Sequence, residues 1–179
     1  VVLFVGSEQR RKNLGTLVAG LAKFREKEPG LVFVKAGVAQ SKSGHGRFQS
    51  ALKADQLEEA TVFLDGLTDD QMVQLYQAAD VLAFPSVEEG WGVPVLEAMA
   101  SGIPVLSSQI GPIVEFAGDS VLYVDDPYSS RDWSSGLERL AGDNSLRERL
   151  RVIARHRAQT LTWDRARELF AANLNLVGA

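Results

Sequence analysis

The sequence contains no cysteine, which removes disulfides, thiolate nucleophiles and cysteine-held zinc or iron–sulfur centres together. Its two histidines, His45 and His156, lie far apart in the chain, so a His-rich metal site is not expected. There is no excess of positive charge: 19 Lys+Arg stand against 23 Asp+Glu, a net charge of −4. That argues against a polyanion binder resting on bulk charge, and no nucleic-acid partner is expected. No apolar run approaches the roughly 20 residues that span a bilayer, and no secretory leader is visible. A cytoplasmic location is the expectation, with at most a peripheral seat at the inner membrane face. What is present suits one globular domain with a full core: 45% hydrophobic and 23% charged residues over 179 positions. The chain opens at Val1 without a Met and runs straight into Val2-Leu3-Phe4-Val5. A buried strand at the very start reads as a domain cut from a longer protein, so a partner domain is expected.

Short β-branched and aromatic runs alternate with helical patterns, the sign of βα units and a parallel sheet. Strands are predicted over 1–5, 31–36, 61–64, 80–84, 103–106 and 121–124. Asn13 is placed to cap a helix whose Leu14, Leu17, Val18, Leu21 and Phe24 recur at helical spacing. The polar stretch 40–46 reads as an exposed loop before a short helix over 48–56. Thr68 followed by Gln71 is a capping box for a helix carrying Met72, Leu75, Tyr76 and Ala79 on one face. Pro94 starts another helix running to about Ser101. Helices are predicted again over 131–141, 144–159 and 162–176, the last with Trp163, Ala166, Phe170 and Leu174 on one apolar face. The fold class is therefore α/β: a Rossmann-like, doubly wound parallel sheet with C-terminal helices. In such sheets ligands bind outside the carboxyl ends of the strands, near the point where strand order reverses.

Three segments follow strand ends. In Glu89-Gly90-Trp91-Gly92-Val93-Pro94-Val95-Leu96-Glu97, two glycines flank an aromatic residue just before a helix, letting the backbone approach a ligand. N–H groups around Val93, Val95 and Leu96, together with the helix dipole, suit a phosphate. Glu97 and Glu89 are acceptor-only when ionised and suit hydroxyls. An anion cradle between two acids fits a ligand with phosphate in the middle and hydroxyls at both ends, the layout of a nucleotide sugar. In Gly6-Ser7-Glu8-Gln9-Arg10-Arg11-Lys12-Asn13, three consecutive cations are able to neutralise a diphosphate. The segment is neither a dinucleotide fingerprint nor a Walker loop, since the further glycines and the Gly-Lys-Ser/Thr are missing. The third segment, Asp65-Gly66-Leu67-Thr68-Asp69, is placed to flank a base. Singly, each has a structural reading as well: a tight turn with a core indole, a solvated basic turn, and a capped helix start. His45, His156 and the Arg-rich stretch from Arg147 to Arg157 read as solvated.

Taken in order, Phe4-Val5-Gly6, Arg11-Lys12-Asn13-Leu14, Phe63 to Asp69, Leu75 to Asp80, Phe84-Pro85-Ser86, Glu89 to Val105, Gly118 to Asp125 and Thr162-Trp163 resemble the C-terminal, donor-binding half of the retaining GT-B glycosyltransferases. This is the group 1 family with a Glu-x7-Glu motif, here Glu89 and Glu97. The Arg-Lys-Asn wording is most similar to its mannosyltransferase-like members, which act in polysaccharide biosynthesis. The resemblance covers nearly the whole chain. It implies that residues 1–179 form the nucleotide-sugar-binding domain, with an N-terminal acceptor domain outside this chain. It further implies transfer of a hexose, such as mannose from GDP-mannose, to a glycan or lipid-linked acceptor, with a GDP- or UDP-linked donor and no metal or other cofactor. By the same resemblance Arg11 and Lys12 hold the diphosphate, Glu97 the ribose hydroxyls and Glu89 the donor sugar, while Glu89, Lys12 and Arg11 act at the reacting centre. Gly6 and Ser7 line the donor site, the backbone of Gly90, Trp91, Gly92 and Val93 contacts phosphate and sugar, and Leu67 lies near the base.

Ser7 stands where many members carry Arg, which leaves one phosphate contact either missing or replaced by Arg10. Trp91 replaces the usual Phe, and Ile113-Val114-Glu115 breaks a Leu-Pro-Glu wording. The rival readings are a non-catalytic sugar-nucleotide-binding or assembly domain and one half of a nucleotide-sugar 2-epimerase.

Overall fold

Alternation of large apolar residues along each strand builds two cores, one on either face of a single sheet. A computed structural model describes residues 1–177, with side chains through Ala172. Six strands, β1 (Val2–Val5), β2 (Phe33–Ala36), β3 (Thr61–Leu64), β4 (Val81–Phe84), β5 (Val105–Ser107) and β6 (Leu122–Tyr123), run parallel in the order β3-β2-β1-β4-β5-β6. The expected doubly wound sheet is thus observed, with its order reversing between β1 and β4. Strand two is shorter at its start than predicted, and the sixth is only two residues long.

Val2, Phe4, Phe33, Val81, Ala83 and Leu106 point to one face, where α1 (Leu14–Arg25), α2 (Lys42–Ala54) and α6 (Ser130–Gly142) cover them. Leu3, Val34, Ala36, Leu82, Phe84 and Val105 point to the other, under α3 (Asp69–Ala78), α4 (Val93–Ser101) and α5 (Gly111–Ala117). Each fully buried Leu, Phe or Met contributes about 1.5–3 kcal/mol relative to exposure, so these two layers set the positions of the loops above them. Trp133 is fully buried on α6, and its indole N–H donates to the Pro127 carbonyl at 3.0 Å.

The capping box opens α3 as predicted: Thr68 Oγ1 accepts from the Gln71 N–H, and the Gln71 side chain accepts from the Thr68 N–H. Other elements differ from the sequence expectation. The polar stretch is not a loop, because Ser41 caps α2 from Lys42 onward by accepting from the Gly44 N–H at 3.1 Å. Helix α5 was not predicted. Asn13 precedes α1 with left-handed backbone (φ 48°) and gives no side-chain cap to the helix N–H groups. Its amide instead donates to the Pro127 carbonyl at 2.8 Å and accepts from Thr16 Oγ1 at 2.7 Å, joining α1 to the loop before α6.

The arginines of α7 (Asn144–Thr160) are not simply a solvated face. Arg147 donates to the Leu140 and Ala141 carbonyls at the end of α6, Arg155 to the Ser101 carbonyl, and Arg157 to the Glu115 and Phe116 carbonyls of α5. Cations there meet the unsatisfied carbonyls and the negative end of each helix dipole. His156 between them is exposed, as expected. In α8 (Trp163–Val177), Trp163 and Phe170 of the expected apolar face are 86% and 68% exposed, and the Leu174 side chain lies outside the described residues. Among the described residues, no helix is long and apolar enough to cross a membrane.

Candidate functional site

The reversal of strand order places the loop after β1 beside the loop after β4, and two segments that are distant in sequence meet there. The first loop leaves β1 at Gly6, whose N–H donates to the Ala36 carbonyl at 2.9 Å, and then forms a 3-10 turn over Arg10–Lys12. The second loop runs from Pro85 to Gly92. One backbone bond, from the Val87 N–H to the Arg11 carbonyl at 2.8 Å, ties them together.

Glu89 is the side chain on which both loops converge. Its Oε1 accepts from Lys12 Nζ at 2.5 Å and its Oε2 from Arg11 Nη1 at 3.0 Å. Arg11 Nη1 also donates to the Glu88 carbonyl at 3.0 Å, and its Nε to Gln9 Oε1 at 2.7 Å. The Lys12 ammonium lies 5.5 Å from the centre of the Phe84 ring, and a Cβ on Gly6 would stand 3.6 Å from Lys12 Nζ. Lys12 is therefore buried at the mouth rather than swinging in solvent. Arg11 keeps about a third of its side chain exposed.

Burial pushes the Glu89 carboxyl up, but its polar neighbours, Lys12 first and then Ser86 and Arg11, outweigh it and hold the group below its ordinary value of 4.5. A carboxyl depressed in the folded state stabilises the fold fully above its unfolded pKa, and that stability fades as pH falls through the folded value. Comparing acid unfolding of the unaltered chain and Glu89→Gln is expected to show a stability difference that is constant above pH 4.5 and shrinks below it. A difference unchanged down to the acid transition would overturn this assignment.

The turn Gly90-Trp91-Gly92 leads into α4. Gly92 is the N-cap residue with left-handed backbone (φ 91°), and Pro94 occupies the first turn. The Val95 N–H is not free as expected, because it donates to the Gly92 carbonyl at 2.9 Å. Trp91 is half-exposed and stacks on Phe116, ring centres 4.8 Å apart at 15°. Val93 beside it is exposed. Glu97, one turn further along α4, faces the surface and accepts from Tyr76 Oη at 2.7 Å. Burial, and then the bond and charge of Glu97, push the Tyr76 phenol far above its ordinary range, so it remains a donor that orients this carboxylate.

Of the predicted site residues, Arg11, Lys12, Glu89 and Gly6 are thus brought into one cluster, with Gly90, Trp91, Gly92 and Val93 continuing from it and Glu97 on the helix that follows. Ser7 is half-buried in the first loop. Leu67 sits half-buried after β3, the outermost strand, and joins none of these contacts. Arg10 joins none of the Glu89 contacts. It is exposed and lines a groove with Arg47 and Phe48 against α2. Sequence reasoning missed the orienting roles of Gln9, Tyr76 and Phe116: the spacing marks Tyr76 only as part of an apolar helix face, and no local pattern marks the other two. No group of His, Asp and Glu suited to a metal occurs among the described residues.

The chain matches the family described as "Glycosyl transferases group 1" over residues 1–157. It is 32% identical over 171 residues to a D-inositol 3-phosphate glycosyltransferase of Corynebacterium aurimucosum, covering 93% of this chain and 40% of that protein. Among solved structures it is similar to sucrose-phosphate synthase of Thermosynechococcus elongatus, with TM-score 0.79 and 28% identity over 96% of this chain and 45% of the other. It also resembles Anabaena HepE in complex with UDP and glucose, with TM-score 0.84, 20% identity and coverage of 97% and 47%. The chain spans less than half the length of each of these proteins.

Proposed function

The chain belongs to the group 1 glycosyltransferases, and from that membership we propose that it is the donor half of a retaining enzyme, binding a nucleoside diphosphate hexose beside an N-terminal acceptor domain. The observation that supports this reading is the meeting of Arg11 and Lys12 with Glu89 at the entrance to α4, across 77 or more positions of sequence. Two cations held next to a helix N-terminus offer a diphosphate charge-assisted bonds and a favourable dipole. In this reading Arg11 and Lys12 grip the diphosphate, the backbone from Gly90 to Val93 lies along phosphate and sugar, Glu97 accepts from the ribose hydroxyls, and Glu89 accepts from the hexose.

The chemistry asked of this half is stabilisation of the departing nucleoside diphosphate. Negative charge grows on its oxygens as the anomeric bond breaks, and fixed cations there lower the barrier without reorganising. No metal is required by this scheme. Groups that bind the acceptor belong to the other domain, so this chain by itself is expected to bind donor and to transfer no sugar.

The Arg-Lys-Asn wording favours a GDP-linked mannose, whereas HepE was solved with UDP and glucose. A thermal-shift panel of UDP, GDP and ADP, followed by titration calorimetry, separates the two. One nucleotide is expected to bind with Kd of about 10 µM to 1 mM, a range reflecting half a cleft. Absence of binding by all three at millimolar concentration would overturn the reading.

A further inference from the structure

Beneath the loop that carries Arg11 and Lys12 lies a buried ionic cluster that contacts neither cation. Glu8 is 6% exposed, and Lys35 of β2 is 2% exposed. Lys35 Nζ lies 3.2 Å from Glu8 Oε1 and also donates to the Gly37 carbonyl. From the other side, His45 Nδ1 of α2 approaches the same carboxylate at 3.0 and 3.2 Å. Gly44 brings the first turn of α2 against this residue, since a Cβ there would stand 2.8 Å from the Glu8 carbonyl oxygen. His45, expected in a solvated loop, is instead half-buried, edge-on to Phe63 at 6.2 Å between ring centres.

Removing a carboxylate and an ammonium from water is costly, and such a pair seldom stabilises a fold more than apolar residues of the same size. What the pair does supply is geometry, because the carboxylate is engaged from two sides at once, by the ammonium and by the imidazole. The next residues transmit that geometry. Gln9 bonds to Gln40 of the loop before α2 and accepts from Arg11 Nε, and the Arg11 carbonyl accepts from Val87. Arg11 and Lys12 are adjacent like charges that both bond to Glu89, and the set of the loop that carries them governs how closely they come together there.

We propose that Glu8, locked by Lys35 and His45, is a positioning residue that holds the loop so that Arg11 and Lys12 already face the anion site before ligand arrives. The choice of diphosphate as that ligand rests on the donor-site reading. The pinning of the loop does not.

The test uses the full chain and Glu8→Leu/Lys35→Met, which replaces the ion pair by apolar groups of similar size and is expected to remain folded. In the ligand-free protein, hydrogen exchange of the peptide over 6–13 is expected to rise about tenfold, with β1 and the body of α1 unchanged. Affinity for the nucleotide selected by the panel is expected to fall about tenfold, and by less than about twofold when Lys12→Met is already present, because residues acting through one network do not add. His45→Ala, at a half-exposed position, removes one partner and raises the same exchange to a smaller degree, which keeps the test decisive if the double variant folds poorly. Unchanged exchange over 6–13, or losses that multiply in the cycle with Lys12→Met, would overturn the proposal. If the unaltered chain binds no nucleoside diphosphate, the donor-site reading fails, and the exchange result still decides the role of Glu8.

Discussion

Lys12→Met is expected to weaken nucleoside diphosphate binding by about 10- to 150-fold, the loss of one charge-assisted contact of roughly 1.5–3 kcal/mol. Methionine keeps the apolar stem that lies against Phe84 and Gly6 and removes only the ammonium. The substitution also deprives Glu89 of its shorter bond, leaving Arg11 as its partner. The Glu89 carboxyl is therefore expected to rise toward its ordinary value, which an NMR titration of that side chain reads independently of ligand. Calorimetry on the folded variant gives the affinity. Binding equal to that of the unaltered chain would place the diphosphate elsewhere.

The second large effect is on stability. Gly92→Ala forces a side chain onto backbone at φ 91° and puts a Cβ 2.2 Å from Ile113 Cδ1. That atom is the tip of a side chain, but Ile113 is fully buried and Phe116 Cε1 lies 3.8 Å from the same Cβ, so the methyl is accepted only by moving packed side chains. Overpacking and left-handed strain together are expected to cost about 2–4 kcal/mol. For a chain of this size that is roughly 5–15 °C in Tm. Gly90→Ala is the control two residues away, since a Cβ there meets nothing within 4 Å and the backbone is not left-handed. Equal melting temperatures for the two variants would show that the turn tolerates a side chain. Movement of Phe116 would also disturb its stack with Trp91, so the Gly92 variant is expected to change the indole fluorescence.

Most of the fold was legible because its causes are local. Strand runs, the Thr68–Gln71 box and Pro94 carry their geometry within a few residues; the box and Pro94 lie where the pattern puts them, and all six strands are present with ends shifted by no more than two residues. Helix α5 was not legible, since seven residues beginning Gly111-Pro112 are too few to show a period. The start of α2 reads as loop because two glycines and two serines outweigh a single Ser41 cap that depends on packing against Glu8. The candidate site was half legible. Residue types at the ends of β1 and β4 pointed to Arg11, Lys12, Glu89 and Glu97, but nothing local says that Glu89 closes on both cations. That pairing needs β1 and β4 to be neighbours. The orienting roles of Tyr76 and the Glu8 cluster are likewise products of topology.

The Glu89 bridge leaves one charge to spare, since a single carboxylate answers both Arg11 and Lys12. In the donor-site reading, a diphosphate competes with an acid that these cations already hold, so its entry is an exchange of anions and not the filling of a bare basic patch. A sugar nucleotide brings alcohols along with its charge, which gives the displaced acid new partners on the same molecule.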